Sequence, residues 1–511
     1  MRKTDKFFSS SKLLKDGFRG SIYHYFTAAI DALLNFLIVI YILQRLNVEE
    51  FGIYNFLLAA VLFVRTVTFL GTDSVVQRYL PEYEEKGNNY FKKRILSGSM
   101  LICLFAAIVL LGIFFIVRTR IIEIFHLPEY SKNLFYISMA IALLALESYL
   151  LGDIALVALL KNQYWSFCRI TYNLIKLVLF YCAFRLNYGL TGIIWGWLIS
   201  EFLLLMLFFI KGYRVVFSLP VKKKDVQKLP IKRFINFAKF LYFHKLTQLF
   251  KRKGFDIFLL SYFLNTKAVG IYSFCFGIPL LLMQLSPATK LHPILKTIAI
   301  RNYTRQNDYE NFSYLFAFIN RITFFIMIPL FIFIIILADK ITLFLLNPDY
   351  IKTVHLFRLS LAFISIHQFG FVYTPILFTL EKTRIIFITG LISFYNLIMD
   401  ILLIPLYGVL GAILATGSTG IIVILYYRYA TGKIIRLSYP WKSFAVFSLN
   451  TLFVAGLLYI LRPFMHDIFS LISVFILGVI VYLILSFLNK GFEQKDRDIL
   501  NKMIGKKVWV F

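Results

Sequence analysis

The sequence predicts an all-α polytopic membrane protein of about fourteen transmembrane helices, with two parallel six-helix lobes followed by two C-terminal helices. Three observations carry this. Of the 511 residues, 59% are hydrophobic and mean hydropathy is +0.76, above the roughly 45–50% apolar content of soluble domains. Apolar runs of about 20 residues, the length needed to cross the hydrocarbon core, recur along the whole chain. Two short phrases also return at a nearly constant spacing.

Taken in order, the apolar runs begin near Ser21, Phe51, Ile95, Asn133, Trp165, Leu190, Phe240, Gly270, Phe312, Val354, Ile385, Val409, Ser443 and Ile468. The loops test this count. With the N-terminus inside, about thirty-seven of the 55 Lys and Arg fall in cytoplasmic segments and about nine in outer ones, as the positive-inside rule requires. The predicted organisation is a cytoplasmic N-terminus (1–20), an N-lobe of six spans (21–211), a basic cytoplasmic linker (212–239) and a C-lobe of six spans (240–430). Spans thirteen and fourteen (443–488) and a cytoplasmic tail (489–511) follow. Both termini are expected to be cytoplasmic.

The formal charge of +29 would point to nucleic acid in a soluble chain. Here the basic loops of a polytopic protein account for it, so no nucleic-acid partner is expected. Cys103, Cys168, Cys182 and Cys275 lie in apolar runs without paired spacing, so neither a disulfide framework nor a metal site is expected. The N-terminus is basic, and no small-residue cleavage site follows the first long apolar run. The first span is therefore expected to remain.

"LNVEEFGIYNF" from Leu46 and "LNTKAVGIYSF" from Leu264 share Leu, Asn, Gly, Ile, Tyr and Phe at matching positions. "YGLTGIIWG" from Tyr188 and "YGVLGAILA" from Tyr407 repeat at nearly the same offset. Each pair sits six spans apart, at the turn between spans one and two or five and six. The two lobes should therefore have the same orientation, related by an axis along the membrane normal, with a cavity between them.

The first phrase also gauges depth. It ends spans one and seven, which puts several ionisable side chains at mid-membrane, where they normally face a bundle interior or an aqueous cavity. His24, Thr27, Asp31 and Asn35 share one face of span one, and Arg65, Thr68 and Thr72 form a stripe on span two. In span seven, "FHKLTQLFKRKGFDIFLLSYFL", His244, Thr247, Gln248 and Lys251 share a face flanked by Arg252. Lys253 points nearly opposite and either snorkels or pairs with Asp256, and Gly254 allows a kink. Arg65 has a structural reading too, as the partner of Asp31 or Asp73. His24 and His244 fit packing as well as ligand roles.

The expected diphosphate and sugar cavity is therefore lined by Arg65, Lys251, Arg252, His24, Asn35, His244 and Gln248. Asp31, Asp256 and Asp400 are candidates for ion coupling or a gate. Guanidinium and ammonium groups repel a cationic substrate and suit a diphosphate, so an anionic head group on a lipid tail fits. Arg169, Lys176, Arg321 and Arg358 lie in other spans and have no assigned role. Glu147, Asp153 and Glu201 fit helix-packing or gate pairs.

Three stretches carry a resemblance: "LNVEEFGIYNFLLAAVLFVRTVTFLGTDSVVQRYLPEY", "FDIFLLSYFLNTKAVGIYSF" and "NLIMDILLIPLYGVLGAILATG". Over about residues 15–440 the chain resembles the O-antigen and polysaccharide flippases of the MOP exporter superfamily. That resemblance implies two six-helix lobes that rock between inward- and outward-facing states. It implies transfer of an undecaprenyl-diphosphate-linked oligosaccharide (an O-antigen, capsule or exopolysaccharide unit) from the inner to the outer leaflet of a bacterial cytoplasmic membrane. Polysaccharide polymerase and chain-length machinery are the implied protein partners, besides membrane lipids. Asp256 falls on the family's span-seven Asp. No organic cofactor is implied, and H+ or Na+ coupling is an open possibility.

The family often has twelve spans, and the extra pair keeps a lipid II flippase of peptidoglycan synthesis as an alternative. A cation-coupled multidrug exporter is a second alternative, although it needs an acidic or aromatic cavity. A membrane glycan polymerase or ligase would carry a large outer loop or a soluble catalytic domain. Neither is visible, nor is a P-loop, nucleotide fingerprint, nucleophile elbow or zinc motif.

Overall fold

The computed structural model describes residues 30, 31, 33–221, 228–249, 253–284, 286, 287, 309–380, 382–504, 510 and 511, and among these the regular structure is all helical. A hydrocarbon solvent offers no hydrogen bonds, so each crossing segment must satisfy its backbone internally, and a helix does so.

In the first half, α1 (Leu33–Arg45) is followed by α2 (Val48–Thr68), α3 (Thr72–Glu85), α4 (Asn89–Ile124), α5 (Ser131–Leu156), α6 (Asn162–Arg185) and α7 (Gly189–Phe217). The second half runs α8 (Ile231–Leu249), α9 (Lys253–Phe263), α10 (Thr266–Met283), α11 (Tyr309–Leu345), α12 (Val354–His367) and α13 (Tyr373–Thr379). It continues as α14 (Thr383–Leu391), α15 (Ser393–Tyr407), α16 (Val409–Gly432), α17 (Trp441–Leu461), α18 (Ile468–Asn489) and α19 (Gln494–Ile504).

Eleven helical segments among the described residues are long and apolar enough to span a membrane, and they coincide with eleven of the fourteen expected runs. The other three are spans one, seven and ten. Span one is described only in part. Span seven is described on either side of residues 250–252, as α8 and α9, and span ten is broken by the 3-10 turn Gln368–Gly370 between α12 and α13.

The basic stretch 212–239 is less of a linker than its composition implies. α7 runs on through a π-helical turn to Phe217, and α8 begins at Ile231, nine residues before the expected start of span seven. The first turns of α8 are basic, so hydropathy underestimates the helix. They are held by packing and polar contacts instead. Arg233 forks onto Glu82 of α3 at 3.2 Å through both Nη atoms, and Tyr79 packs on Phe234 with ring centroids 4.6 Å apart. Lys86 and Arg233 hold the Glu82 carboxyl below the usual carboxylate range.

The chain divides into two compact units, one comprising Met1–Tyr41 and Leu57–Leu246, the other Ile42–Phe56 and Thr247–Phe511. In the first, α7 packs on both α5 and α6, and the Phe208 ring fills the space a side chain at Gly152 would need. In the second, α15 packs on α16, α10 on α12, and α11 on α17.

The C-terminal helices α17, α18 and α19 lie outside the internal repeat, and side-chain pairs fasten them to α11 near both ends of that helix. At one end Arg321, buried, pairs with Asp496 at 2.7 Å and with Glu493, while the Tyr314 hydroxyl donates to Asp496 at 2.7 Å. At the other, Asp339 accepts from Arg358 at 3.1 Å and also pairs with Arg462. Between them, the Tyr482 hydroxyl donates to the Phe325 carbonyl at 2.9 Å. Asp496 is fully buried, so removing its cation leaves an uncompensated charge. Arg321→Met is expected to cost about 3 kcal/mol. It should lower the melting temperature of the detergent-solubilised protein and expose residues 493–504 to limited proteolysis.

Candidate functional site

In the first unit the polar cluster begins where α5 turns π-helical over Tyr149–Leu156. Such a turn shifts the side-chain register by one residue and is common at functional positions. Arg65 of α2 lies 4.5 Å from the centre of the Tyr149 ring. Asp153, one turn on, accepts from Trp165 Nε1 at 2.7 Å and from Arg169 Nε at 3.2 Å. Glu201 accepts from Ser148 at 2.6 Å and Tyr172 at 3.1 Å. The Lys176 ammonium is caged by Tyr172, Phe180 and Trp197, with centroids at 5.5, 5.5 and 5.2 Å. Both oxygens of Glu147 are buried without a hydrogen-bond partner among the described residues.

In the second unit, Asp256 of α9 and Asp400 of α15 share a single amide. Asn396 Nδ2 donates to Asp400 Oδ2 at 2.7 Å and to Asp256 Oδ1 at 3.2 Å. The Thr419 hydroxyl lies 2.8 Å from the Ala415 carbonyl and 3.2 Å from Asn396 Oδ1, and its one proton serves either acceptor. Tyr272 donates to Asp256 Oδ2, and Thr416 donates to it at 3.2 Å. Asp256 and Asp400 are both 1% exposed, and the described groups around them supply no cation. Two carboxyls that share one amide in an apolar interior are a costly arrangement, of the kind that marks an ion path.

The predicted residues fall as follows. His24, Lys251 and Arg252 lie outside the described residues, and the side chains of His244 and Gln248 are not described. Arg65 does not take either carboxylate proposed for it. Asp73 pairs with Lys245, and the Asp31 carboxylate accepts from Asn173 at 2.6 Å. Asn35 of α1 donates to the Asp31 carbonyl at 2.8 Å. The stripe Arg65, Thr68, Thr72 is interrupted. α2 ends at Thr68, Leu70 and Gly71 both have positive φ, and Thr72 starts α3, bonded to the Phe69 carbonyl at 2.7 Å. Helical spacing overran a break that no proline announces. The partners described for Asp256 are Tyr272, Thr416 and Asn396, and the side chain of Lys253, expected beside it, is not described.

Residues 18–298, more than half the chain, match the family described as polysaccharide biosynthesis protein. The chain belongs to that family. Among curated proteins it is 29% identical over 187 residues to the lipid II flippase MurJ of Thermosipho africanus (strain TCF52B), a match covering 35% of this chain and 38% of that protein. Its fold is similar to a solved lipid II flippase MurJ in an inward closed conformation, with TM-score 0.67, 21% identity, and 94% and 99% of the two chains covered. It is also similar to an inward-facing multidrug resistance MATE family transporter of the MOP superfamily, with TM-score 0.64, 14% identity, and 81% and 98% covered. The chain is thus a multi-pass membrane protein of the polysaccharide biosynthesis family with a MOP-type fold.

Sequence reasoning missed Tyr272, Asn396, Thr416 and Thr419 around the acidic pair, and Tyr149, Tyr172 and Trp197 around the basic side chains. One signal was present: Asn396 lies four residues before Asp400, on one helical face. Convergence of α9, α10, α15 and α16 on one point had no local signature. Arg169 and Asp153 form a partly buried ion pair of the first unit, joined through both Nε and an Nη. A thermal-unfolding cycle of Asp153→Asn, Arg169→Gln and the double variant should return a coupling energy of about 1–3 kcal/mol, with the double variant losing less than the summed singles.

Proposed function

We propose that this protein is a flippase that carries an undecaprenyl-diphosphate-linked oligosaccharide from the inner to the outer leaflet of the bacterial cytoplasmic membrane by alternating access. The observation that carries the reading is the family match together with Arg65. Arg169, Arg321 and Arg358 are each held by a carboxylate, whereas Arg65 lies over an aromatic ring and makes no salt bridge among the described residues. Its planar fork is left for a bidentate anion such as a diphosphate. From the sequence, Lys251 and Arg252 are proposed as further basic groups for the diphosphate, and His24, Asn35, His244 and Gln248 as hydrogen-bonding groups for the sugar. Polymerase and chain-length machinery are proposed as partners on the product side.

The Asp256–Asn396–Asp400 cluster is proposed as the coupling site. Carboxylate, amide and hydroxyl oxygens suit a proton or a hard monovalent cation such as sodium. Either would remove the repulsion between the two carboxyls, so occupancy and conformation are linked. Asp31, which accepts from Asn173, is proposed as a gate residue.

A lipid II flippase is the second reading, favoured by the matches to MurJ in sequence and fold. Both substrates present a diphosphate on a polyprenyl chain, so the glycan separates them.

Arg65→Glu should abolish surface polysaccharide at unchanged protein level, and Arg65→Lys should retain part of it. Normal polysaccharide with Arg65→Glu would sink the diphosphate assignment. In proteoliposomes, a fluorescent lipid-linked oligosaccharide should be flipped at least about tenfold faster than lipid II, and the reverse order would favour the second reading. Asp400→Asn should make the remaining flux insensitive to sodium and pH. Changed drug resistance in a deletion strain would instead favour a multidrug exporter.

A further inference from the structure

Basic side chains gather where the positive-inside rule places the cytoplasm, and the two units treat them differently. In the first unit they meet carboxylates: Glu82 takes Arg78, Lys86 and Arg233, and Glu84 takes Lys92. The connection from α16 to α17 in the second unit has none to give. Between Asp400 and Asp467 the sequence holds no Asp or Glu, while Arg428, Lys433, Arg436 and Lys442 fall at that connection. Among the described residues the salt bridges of the second unit use Arg321, Arg358 and Arg462 instead.

Aromatic rings hold these cations. Arg428 Cζ lies 5.2 Å from the centre of the Tyr439 ring, and Lys433 Nζ 4.2 Å from that of Tyr429. The connection itself is pinned to α11 and α13. Ser438 N–H donates to Ser313 Oγ at 2.7 Å, the Tyr439 and Tyr373 hydroxyls share a hydrogen bond, and the Tyr439 ring lies 5.2 Å from Phe316. The same first turns of α11 carry a further cation, since Lys495 Nζ of α19 lies 4.1 Å from the Tyr314 ring. Asp496, next to that lysine, is already taken by Arg321. Trp441 stacks on Tyr439 at 5.7 Å and is 59% exposed. Tyr and Trp collect at the head-group level of a bilayer, so these rings set the depth of the cations as well as their position.

We propose that the α16–α17 connection, with Lys495 beside it, binds the head group of an anionic phospholipid of the inner leaflet. Charge selects this occupant. A phosphodiester with a net negative charge supplies the anion that the local sequence omits, whereas a zwitterionic head group brings its own ammonium and gains less. The rings favour it too. A cation lying over a ring keeps outward N–H donors for phosphate oxygens, while one in a salt bridge has them occupied. Pinning through Ser313 and Tyr373 means that the connection loses little freedom when a lipid binds. A bound lipid ties the ends of α16, α17 and α19 together at one end of α11. The site stands apart from the transport reading and does not rest on it.

The test is native mass spectrometry of full-length, delipidated protein, titrated with phosphatidylglycerol, phosphatidylcholine or soluble glycerol phosphate. The first phosphatidylglycerol adduct should form at a concentration on the order of tenfold below that for phosphatidylcholine, and glycerol phosphate should give none. Arg428→Gln combined with Lys433→Gln should raise the phosphatidylglycerol concentration needed on the order of tenfold. Lys228→Gln combined with Lys232→Gln removes the same charge from the cytoplasmic end of the first unit and should leave it unchanged. Arg428→Lys combined with Lys433→Arg keeps both charges over their rings and should bind like the parent. Retained binding in the Arg428→Gln, Lys433→Gln protein, or an equal loss in the Lys228→Gln, Lys232→Gln protein, would overturn the site. Glycerol phosphate adducts at the same concentration would overturn the lipid assignment in favour of a simple phosphate site.

Discussion

The rest of this structure follows from the cost of leaving a charge or a polar group unpartnered where no water can reach it. In bulk solvent Asp153 and Arg169 would be an ordinary pair of marginal value. Inside a bundle each makes the other tolerable, and removing one is costlier than removing both. The same rule explains why Asp496 is fully buried yet stable beside Arg321, and why Lys176 sits within three aromatic rings. Against that background the exceptions are informative. Among the described residues Arg65 has a ring but no carboxylate, and Asp256 and Asp400 have hydrogen bonds but no cation.

Those exceptions also explain why the helices break where they do. A regular helix cannot bring a side chain out of its own register, and the chain turns π-helical at Tyr149–Leu156 and interrupts span ten at Gln368–Gly370. Each interruption exposes backbone groups that must be satisfied nearby, which is affordable only inside a packed protein. The C-terminal pair follows a different logic. It takes no part in the internal repeat, and the packing of α17 on α11 is reinforced by side-chain pairs, Arg321 with Asp496 and Asp339 with Arg462.

The sequence alone determined the number of apolar segments and the six-span repeat, because hydrophobic length is a local property that a bilayer reads directly. It also marked the turns. Gly189 and Gly408, matching residues of the second echo, both take positive φ, as a tight turn between helices demands. The family patterns were legible for the same reason, being short contiguous strings. What the sequence left open, or misplaced, depended on distance in the chain. It paired Arg65 with a carboxylate and ran a polar stripe through the break at Leu70, since periodicity carries no information about where a helix stops for want of a partner. The tertiary structure alone decided that α9, α10, α15 and α16 converge on Asp256, and that the two copies of one phrase meet, Gly52 against the Thr266 carbonyl and Gly270 against the Val48 carbonyl. Contacts between residues more than a hundred positions apart are set by packing of whole helices, and no local pattern encodes them.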